Sequence, residues 1–499
     1  MDTSRRHILR GGAALVAGAM ADAPRRGFAG PALASSDGLG ALARSLKGRL
    51  IRPGETGYVQ AALPNNTRYA ETFPRAVAIC ANDSDVQLCV AWARDNRAPF
   101  AVKSGGHNYA GFSVTEGLLI DVRAMKATRL DARNGVVYAQ AGVNNAIMAA
   151  TLSDAPLAVP AGRCLTVGVA GLTMGGGWGF TATRAGLTCD SLLASEVVLA
   201  DGRKVLADAR NNADLFWGLR GGGGGNFGVN TSFAYRLADV SGPVTAFQIV
   251  WPANRFVALV SALQAIENEN VRQMSMRLAL TQTQAGANPS PDELEVDCLG
   301  QFFGSRKQLL DILAPAFSIS PPASQQVQEG GFWQAAKFLA EPGLPHMFDS
   351  RSAYVATALS PDALDTLLRL VTKWPGGAVA QDGLAKLFAI GGKVRDVPAD
   401  ATAYAHRNAN YIFEIMPVND PSDRDDVIAR QADWLAATFE AMQRHLLPAS
   451  YVNFPNRSLP GWAQRYYGAN LGRLSQVKRR YDPDNAFRFA QSIPLFAAS

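Results

Sequence analysis

Apolar positions change their spacing along the chain, and the changes mark out alternating strands and helices. Leu39, Leu42, Leu46 and Leu50 recur at helical spacing and predict a helical lead-in over residues 35–62. Residues 76–80 read as a short strand. Ser84 then stands as the N-cap of a helix to about Asn96, whose Val86, Cys89, Val90 and Ala93 face inward. Strands are predicted over 99–103, 117–121 and 136–141, and a helix over 145–152. The strand 196–200 ends at Asp201 and Gly202, a hairpin-turn pair. A short helical piece at 214–220 precedes strand-like residues 229–234. From about 243 to 445 the texture changes: longer helices (256–267, 306–317, 361–373 and 423–445) alternate with strands such as 276–280 and 293–298. That stretch is expected to form a second, substrate-facing domain. A chain of 499 residues is long enough to bury the cores of two domains, one interrupted by the other.

Composition changes this picture at one point. Apolar residues at 48% and charged residues at 18% belong to an ordinary globular protein, whereas the 47 glycines fall largely into clusters and so serve local geometry. The net charge of +6 owes much to Arg5, Arg6, Arg10, Arg25 and Arg26. Without residues 1–34 the chain holds 43 basic and 40 acidic residues, +3, which gives no reason to expect a nucleic-acid or anionic-membrane partner.

The paired Arg5 and Arg6, a weakly apolar run over 11–21 and the small residues Ala32 and Ala34 match a twin-arginine export signal over residues 1–34. The expected product is an exported protein that meets the twin-arginine machinery. No stretch reaches the ~18 continuous apolar residues of a membrane span. Cys80, Cys89, Cys164, Cys189 and Cys298 have neither zinc-site nor CxxC spacing, so no metal is expected. All but Cys164 read best as small buried hydrophobes.

Three glycine clusters carry the candidate chemistry. The first holds Ser104, Gly105, Gly106, His107, Tyr109 and Gly111. The second holds Gly162, Cys164, Val167, Gly168, Gly171, Gly175, Gly176, Gly177, Trp178 and Gly179, a run able to line a groove with backbone N–H groups. The third, with Gly223, Gly225 and Gly228, fits the dinucleotide fingerprint in letters only. That fingerprint must follow a strand and open a helix, and here the order is reversed. No phosphate-binding loop of the nucleotide-triphosphatase kind occurs. His107 and Cys164, each in a glycine loop after a strand-like segment, supply the imidazole nitrogen and the thiolate suited to attack an electrophilic ring.

With these motifs the chain resembles the berberine-bridge-enzyme-like group of FAD-linked oxidases, within the vanillyl-alcohol-oxidase/PCMH flavoprotein fold. The Gly-Gly-His-x-Tyr loop is here residues 105–109, and the Gly-x-Cys motif ending in three glycines is 162–177. An Arg-Gly-rich-Asn-Phe-Gly segment runs from Arg220. At the carboxy terminus stand Tyr451 and Asn453, Tyr466 to Asn470, Val477 to Pro483, and Gln491 to Pro494. The resemblance implies an α+β fold. A two-part PCMH-type FAD-binding domain (35–240 and the return segment 450–499) would accept an inserted α/β substrate domain (241–449), an antiparallel sheet covered by helices.

It also implies FAD bonded covalently through His107 at the 8α-methyl and Cys164 at C6, two bonds that raise the flavin's reduction potential. Ser104, Gly105, Gly106, Val167, Gly168, Gly171, Gly175, Gly176, Gly177, Trp178, Gly228 and Asn453 would border the cofactor. This chain has Leu172 where plant members carry histidine, and Trp178 where many carry tyrosine. Val167 stands at the oxygen-access position.

The implied reaction removes hydride from a carbon bearing a hydroxyl, or from an activated C–H, to flavin N5 while a base takes the proton. Tyr451 matches the family's tyrosine for that role. Glu414 matches a glutamine or glutamate position and shares a strand face with Ile412 and Asn410. Tyr109 would border the same pocket. The substrate is a sugar, an oligosaccharide, or an alcohol or phenolic secondary metabolite, with Trp178, Trp462, Tyr466 and Tyr467 as stacking surfaces for either. Dioxygen would reoxidise the flavin and yield hydrogen peroxide. The alternatives are a dehydrogenase of the same fold serving a quinone or protein acceptor and, of another class, a non-catalytic exported binding protein.

Overall fold

The computed structural model describes residues 38–495, and the export signal expected over 1–34 lies outside them. From Ala41 onward the chain forms one compact unit. Its first sheet has the order Arg49–Ile51, Ala76–Ile79, Leu118–Asp121, Phe100–Lys103, antiparallel at the first pair and parallel at the other two. The helix Asp83–Asp95 connects Ala76–Ile79 to Phe100–Lys103, parallel strands on either side of Leu118–Asp121. A second sheet is antiparallel throughout: Thr128–Asp131, Val136–Gln140, Val229–Arg236, Leu192–Val198, Lys204–Asp208.

Two expectations change here. The lead-in is not one helix. Leu39–Ser45 and Tyr58–Ala62 are helical, but Arg49–Ile51 between them is a strand. The Asp85 carboxylate accepts the backbone N–H of Lys47 and Gly48 (2.8 and 2.9 Å), turning the chain out of the helical path. Nor is Ser84 the cap of the following helix: the Asn82 side chain accepts from Asp85 N, and Ser84 lies inside the first turn.

The third sheet has seven antiparallel strands in the order Ser324–Gly330, Val244–Pro252, Leu294–Phe302, Met274–Gln282, Ala385–Ala389, Tyr411–Ile415, Arg351–Val355. Alternation gives it two unlike faces. Met276, Leu278, Leu387, Phe413 and Ile415 point to one side and pack with the helices Phe256–Glu269, Arg306–Ile319, Pro361–Val371 and Asp425–Met442 in the largest apolar core. On the other side Asp297, Ala279, Lys386, Glu414 and Ser352 stand opposite one another on consecutive strands. They form a polar row across the middle of the sheet.

The tail returns to the first part of the chain. In the helix Leu471–Tyr481, Lys478 is fully buried, and its ammonium donates to Asn226 O (2.7 Å), Phe487 O (2.6 Å) and Asp482 Oδ2 (2.5 Å). Asp482 in turn accepts the N–H of Ala486 and Phe487. Ile493 N donates to Asn226 Oδ1. The Val-Lys-x-x-Tyr-Asp-Pro segment is thus a staple that holds the third glycine cluster. All five cysteines are free, and Cys80, Cys89, Cys189 and Cys298 are buried, as small hydrophobes are. Among the described residues no helix is long and apolar enough to cross a membrane, and no His, Cys, Asp and Glu cluster suits a metal ion.

Candidate active site

One cavity of about 660 Å³ receives His107, Cys164, Tyr109, Glu414 and Tyr451 together. Pockets of that size hold cofactors and small substrates. Its wall is built from the glycine loops, from the polar face of the seven-stranded sheet and from the tail.

The two nucleophile loops meet closely because Gly105 and Gly168 carry no side chain at the crossing. A Cβ on Gly105 would run into Gly168 N, and one on Gly168 into Ser104 Oγ. The Ser104 hydroxyl is directed away, donating to Ala141 O (2.7 Å). His107 and Cys164 therefore share one wall, and a Cβ placed on Gly343 would lie 3.4 Å from both Cys164 Cβ and His107 Cε1. Gly343 belongs to a strap, residues 341–346, laid over this wall. The strap is fastened by Leu165 N to Glu341 O (2.8 Å), Asn65 Nδ2 to Gly343 O (3.0 Å) and Thr67 N to His346 O (3.0 Å).

His107 Nε2 lies 2.9 Å from Thr166 Oγ1, which donates to Gly343 O at 2.8 Å. The threonine hydrogen is thereby committed, so Nε2 carries the imidazole proton and Nδ1 keeps the lone pair. Burial, with His346 nearby, lowers the His107 pKa to about 4, so the ring is neutral at neutral pH. Burial and then the Glu341 carboxylate push the Cys164 thiol up to about 12. That carboxylate, held by Arg163 (2.5 Å), lies 3.6 Å from Sγ.

Tyr451 is buried outside any strand, and its phenol oxygen accepts Gly177 N–H (2.9 Å), Trp178 N–H (3.0 Å) and Asn453 Nδ2–H (3.2 Å). These donors favour a phenolate, yet burial outweighs them and raises the pKa to about 12. Glu414, 1% exposed, accepts Ser350 Oγ–H at 2.7 Å and faces Lys386 at 3.8 Å. Burial raises its pKa against the pull of Lys386, Ser350 and Arg277. Tyr109 is wedged between Phe454, stacked at 5.0 Å, and Phe348, edge-on at 4.7 Å.

Several expected positions turn out differently. Gly175, Gly176 and Gly177 do not face the cavity. A Cβ on them would meet Asn453 Oδ1, Tyr404 Cδ2 and Thr188 Oγ1, so these glycines serve close protein packing. Val167, Gly168, Gly171, Gly228 and Asn453 do line it. Trp462 lies outside the wall. Tyr466 and Tyr467 reach it, but their hydroxyls bond Gln491 and Gly222 O within the protein. The Trp178 indole donates to Ala389 O and its ring packs edge-on against Phe388. In the third cluster, the helix Ala213–Gly218 precedes the glycines and the strand Val229–Arg236 follows, which excludes the dinucleotide fingerprint. Sequence reasoning missed Glu341, Lys386 and Arg277. Lys386 and Arg277 each left a signal, a charge on the cavity-facing phase of the buried strands Ala385–Ala389 and Met274–Gln282.

The wall fits FAD. Gly171 is exposed to the cavity, and nothing lies within 4 Å of where its Cβ would stand. Ser113 Oγ and Asn230 Oδ1, both buried on the wall, have no partner among the described residues. Gly171→Val is therefore expected to fold normally while losing most of its bound flavin. The absorbance ratio of flavin to protein after purification, beside an unchanged Tm, checks this.

Residues 74–207 match the family model described as FAD binding domain, and 450–494 match Berberine and berberine like. The uncharacterized FAD-linked oxidoreductase YgaK of Bacillus subtilis (strain 168) is 31% identical over 458 residues, covering 90% of this chain and 97% of that protein. The glucooligosaccharide oxidase of Sarocladium strictum is 30% identical over 451 residues, covering 85% and 88%. Among solved structures, Physcomitrella patens BBE-like 1 superposes with a TM-score of 0.81 at 25% identity, covering 92% of this chain and 100% of that one.

Proposed function

The chain belongs to the berberine-bridge-enzyme-like FAD-linked oxidoreductases, and from that premise we propose an exported oxidase that holds FAD by two covalent bonds, through His107 and Cys164. Its substrate carries a hydroxyl, and dioxygen takes up the electrons to form hydrogen peroxide. One observation carries the reading: a single cavity joins a glycine-lined half that fits FAD to a charged sheet face bearing Glu414, with His107 and Cys164 on the wall between them.

Bound FAD supplies the two-electron acceptor for hydride. Glu414 takes the hydroxyl proton, because a carboxylate whose proton affinity burial has raised lies nearer to working pH than a phenol at about 12. Tyr451, its oxygen already occupied by three N–H groups, directs its own O–H into the cavity and orients the substrate. Tyr109, Phe348 and Phe454 form an apolar wall that keeps water from the reacting carbon. A polar row facing an aromatic wall favours a hydroxyl-rich substrate over a plain phenolic alcohol. The similar protein named glucooligosaccharide oxidase makes oligosaccharides the first class to test. The same reading divides the chain at about 240 and 450 and assigns residues 1–34 to twin-arginine export, which cell fractionation tests.

Peroxide release from a panel of oligosaccharides and alcohols under air tests the function. Turnover only with a quinone acceptor would favour the dehydrogenase reading, and colourless, flavin-free protein would remove the enzyme altogether. The attachment has its own test, acid precipitation. Yellow pellets are expected from wild type and from His107→Ala or Cys164→Ala, and a white pellet from the double variant. Because the Cys164 thiol is protonated at neutral pH, acid-stable flavin should form faster in His107→Ala as the pH rises toward about 12.

A further inference from the structure

Three lysines among the described residues are almost fully buried with a carboxylate nearby, and they differ in how the ammonium is held. Lys103, opposite Asp121, donates to Ala61 O at 2.9 Å and Leu63 O at 2.6 Å. Lys478 has oxygen acceptors at 2.5, 2.6 and 2.7 Å, the full complement an ammonium can use. Lys386, 8% exposed on the cavity wall, has no oxygen within hydrogen-bonding distance. Its Nζ meets Met416 Sδ at 3.9 Å and Glu414 Oε2 at 3.8 Å. Burial lowers the Lys386 pKa, and an ammonium whose hydrogen-bond partner is a thioether sulfur keeps a desolvation cost that structure alone does not offset. Its position is nonetheless fixed, since Lys386 stands directly opposite Glu414 in the strand register, on the same face.

We infer that Lys386 is a positioning residue that keeps Glu414 ionised between turnovers, so that Glu414 can accept the substrate's proton. This rests on the reading of Glu414 as proton acceptor. Burial raises the Glu414 pKa, and the ammonium opposite is the strongest opposing influence. Arg277, on the strand Met274–Gln282, is tied to Asp297 on Leu294–Phe302 and acts more weakly. The other groups facing the pair are Ser350, which donates to Glu414, Asp382 and Glu341, whose charges favour the ammonium, Cys164, whose thiol feels Lys386, and Tyr109 from the His107 loop. In the step itself the substrate O–H breaks, the proton moves to Glu414, and Lys386 remains an ammonium throughout.

The test uses holoenzyme carrying Lys386→Met, Lys386→Gln, Lys386→Arg or Glu414→Gln. The first readout needs no turnover: the buried carboxyl band in infrared pH-difference spectra, assigned by its loss in Glu414→Gln. The second is the acid limb of kcat/KM measured with glucooligosaccharides. An opposite charge at this range lowers a carboxyl pKa by about one to three units. Lys386→Met and Lys386→Gln are therefore expected to move both the band and the limb upward by that amount, and Lys386→Arg to restore them. Band and limb that stay in place in both neutral variants would overturn the inference. A Glu414→Gln enzyme that keeps full activity and its acid limb would instead overturn the reading of Glu414 on which it stands.

Discussion

Glu414→Gln is expected to lower kcat by about 10²–10⁴-fold, the usual contribution of a positioned general base, while flavin content stays close to wild type. The glutamine carbonyl can still accept the Ser350 hydroxyl hydrogen that Glu414 accepts at 2.7 Å, while the proton acceptor and the negative charge opposite Lys386 are lost. The pH dependence separates this from a binding effect. Glu414 must be ionised to act, so wild-type activity falls as pH drops through its raised pKa, and that limb should vanish in the variant. Tyr451→Phe behaves differently. It strips the acceptor from Gly177 N, Trp178 N and Asn453 Nδ2, all at a buried site, so activity and Tm should fall together. If Tyr451→Phe alone removed the acid limb, the proton acceptor would be Tyr451.

Lys478→Met carries the largest expected loss of stability, about 3–5 kcal/mol, because it leaves Asp482 charged, buried and without its cation. The damage should reach the cofactor before the fold as a whole, since Lys478 also grips Asn226 O, and Asn226 belongs to the glycine cluster on the cavity wall. Urea titration followed by both flavin and tryptophan fluorescence checks the order. Flavin release is expected at the lower denaturant concentration. Lys478→Met combined with Asp482→Leu should recover part of the loss, since an apolar pair leaves no unpaired charge. Equal losses in the single and double variants would remove the ion pair from the explanation.

Much of this architecture was legible because it is local. Helical spacing over 256–267 and 306–317 found the helices that cover the large sheet, and the order of helix, glycines and strand around 223–228 excluded the dinucleotide site before any geometry was known. His107 and Cys164 were legible because each stands out against glycines. What escaped was long-range. The capture of Lys47 and Gly48 by Asp85 breaks a perfect leucine spacing from 37 residues away. The contact of Glu341 with Cys164 spans 177 residues and has no sequence mark. Gly175, Gly176 and Gly177 were expected to cradle a ligand, but glycine is equally required where Asn453, Tyr404 and Thr188 press against the backbone. Composition cannot distinguish the two demands. Only the neighbour does.

The wall of the cavity uses residues from Asn65 through to Gln491, with Tyr451, Asn453, Phe487 and Phe489 among its last contributors. On the ribosome, therefore, no cofactor site exists while the chain is growing. The glycine loops are made first and must wait for almost the entire remaining length before the tail closes their open side. Flavin loading is for that reason an event of the nearly finished chain, and a nonsense mutation between about codons 450 and 491 would remove part of the cofactor wall along with the carboxy terminus.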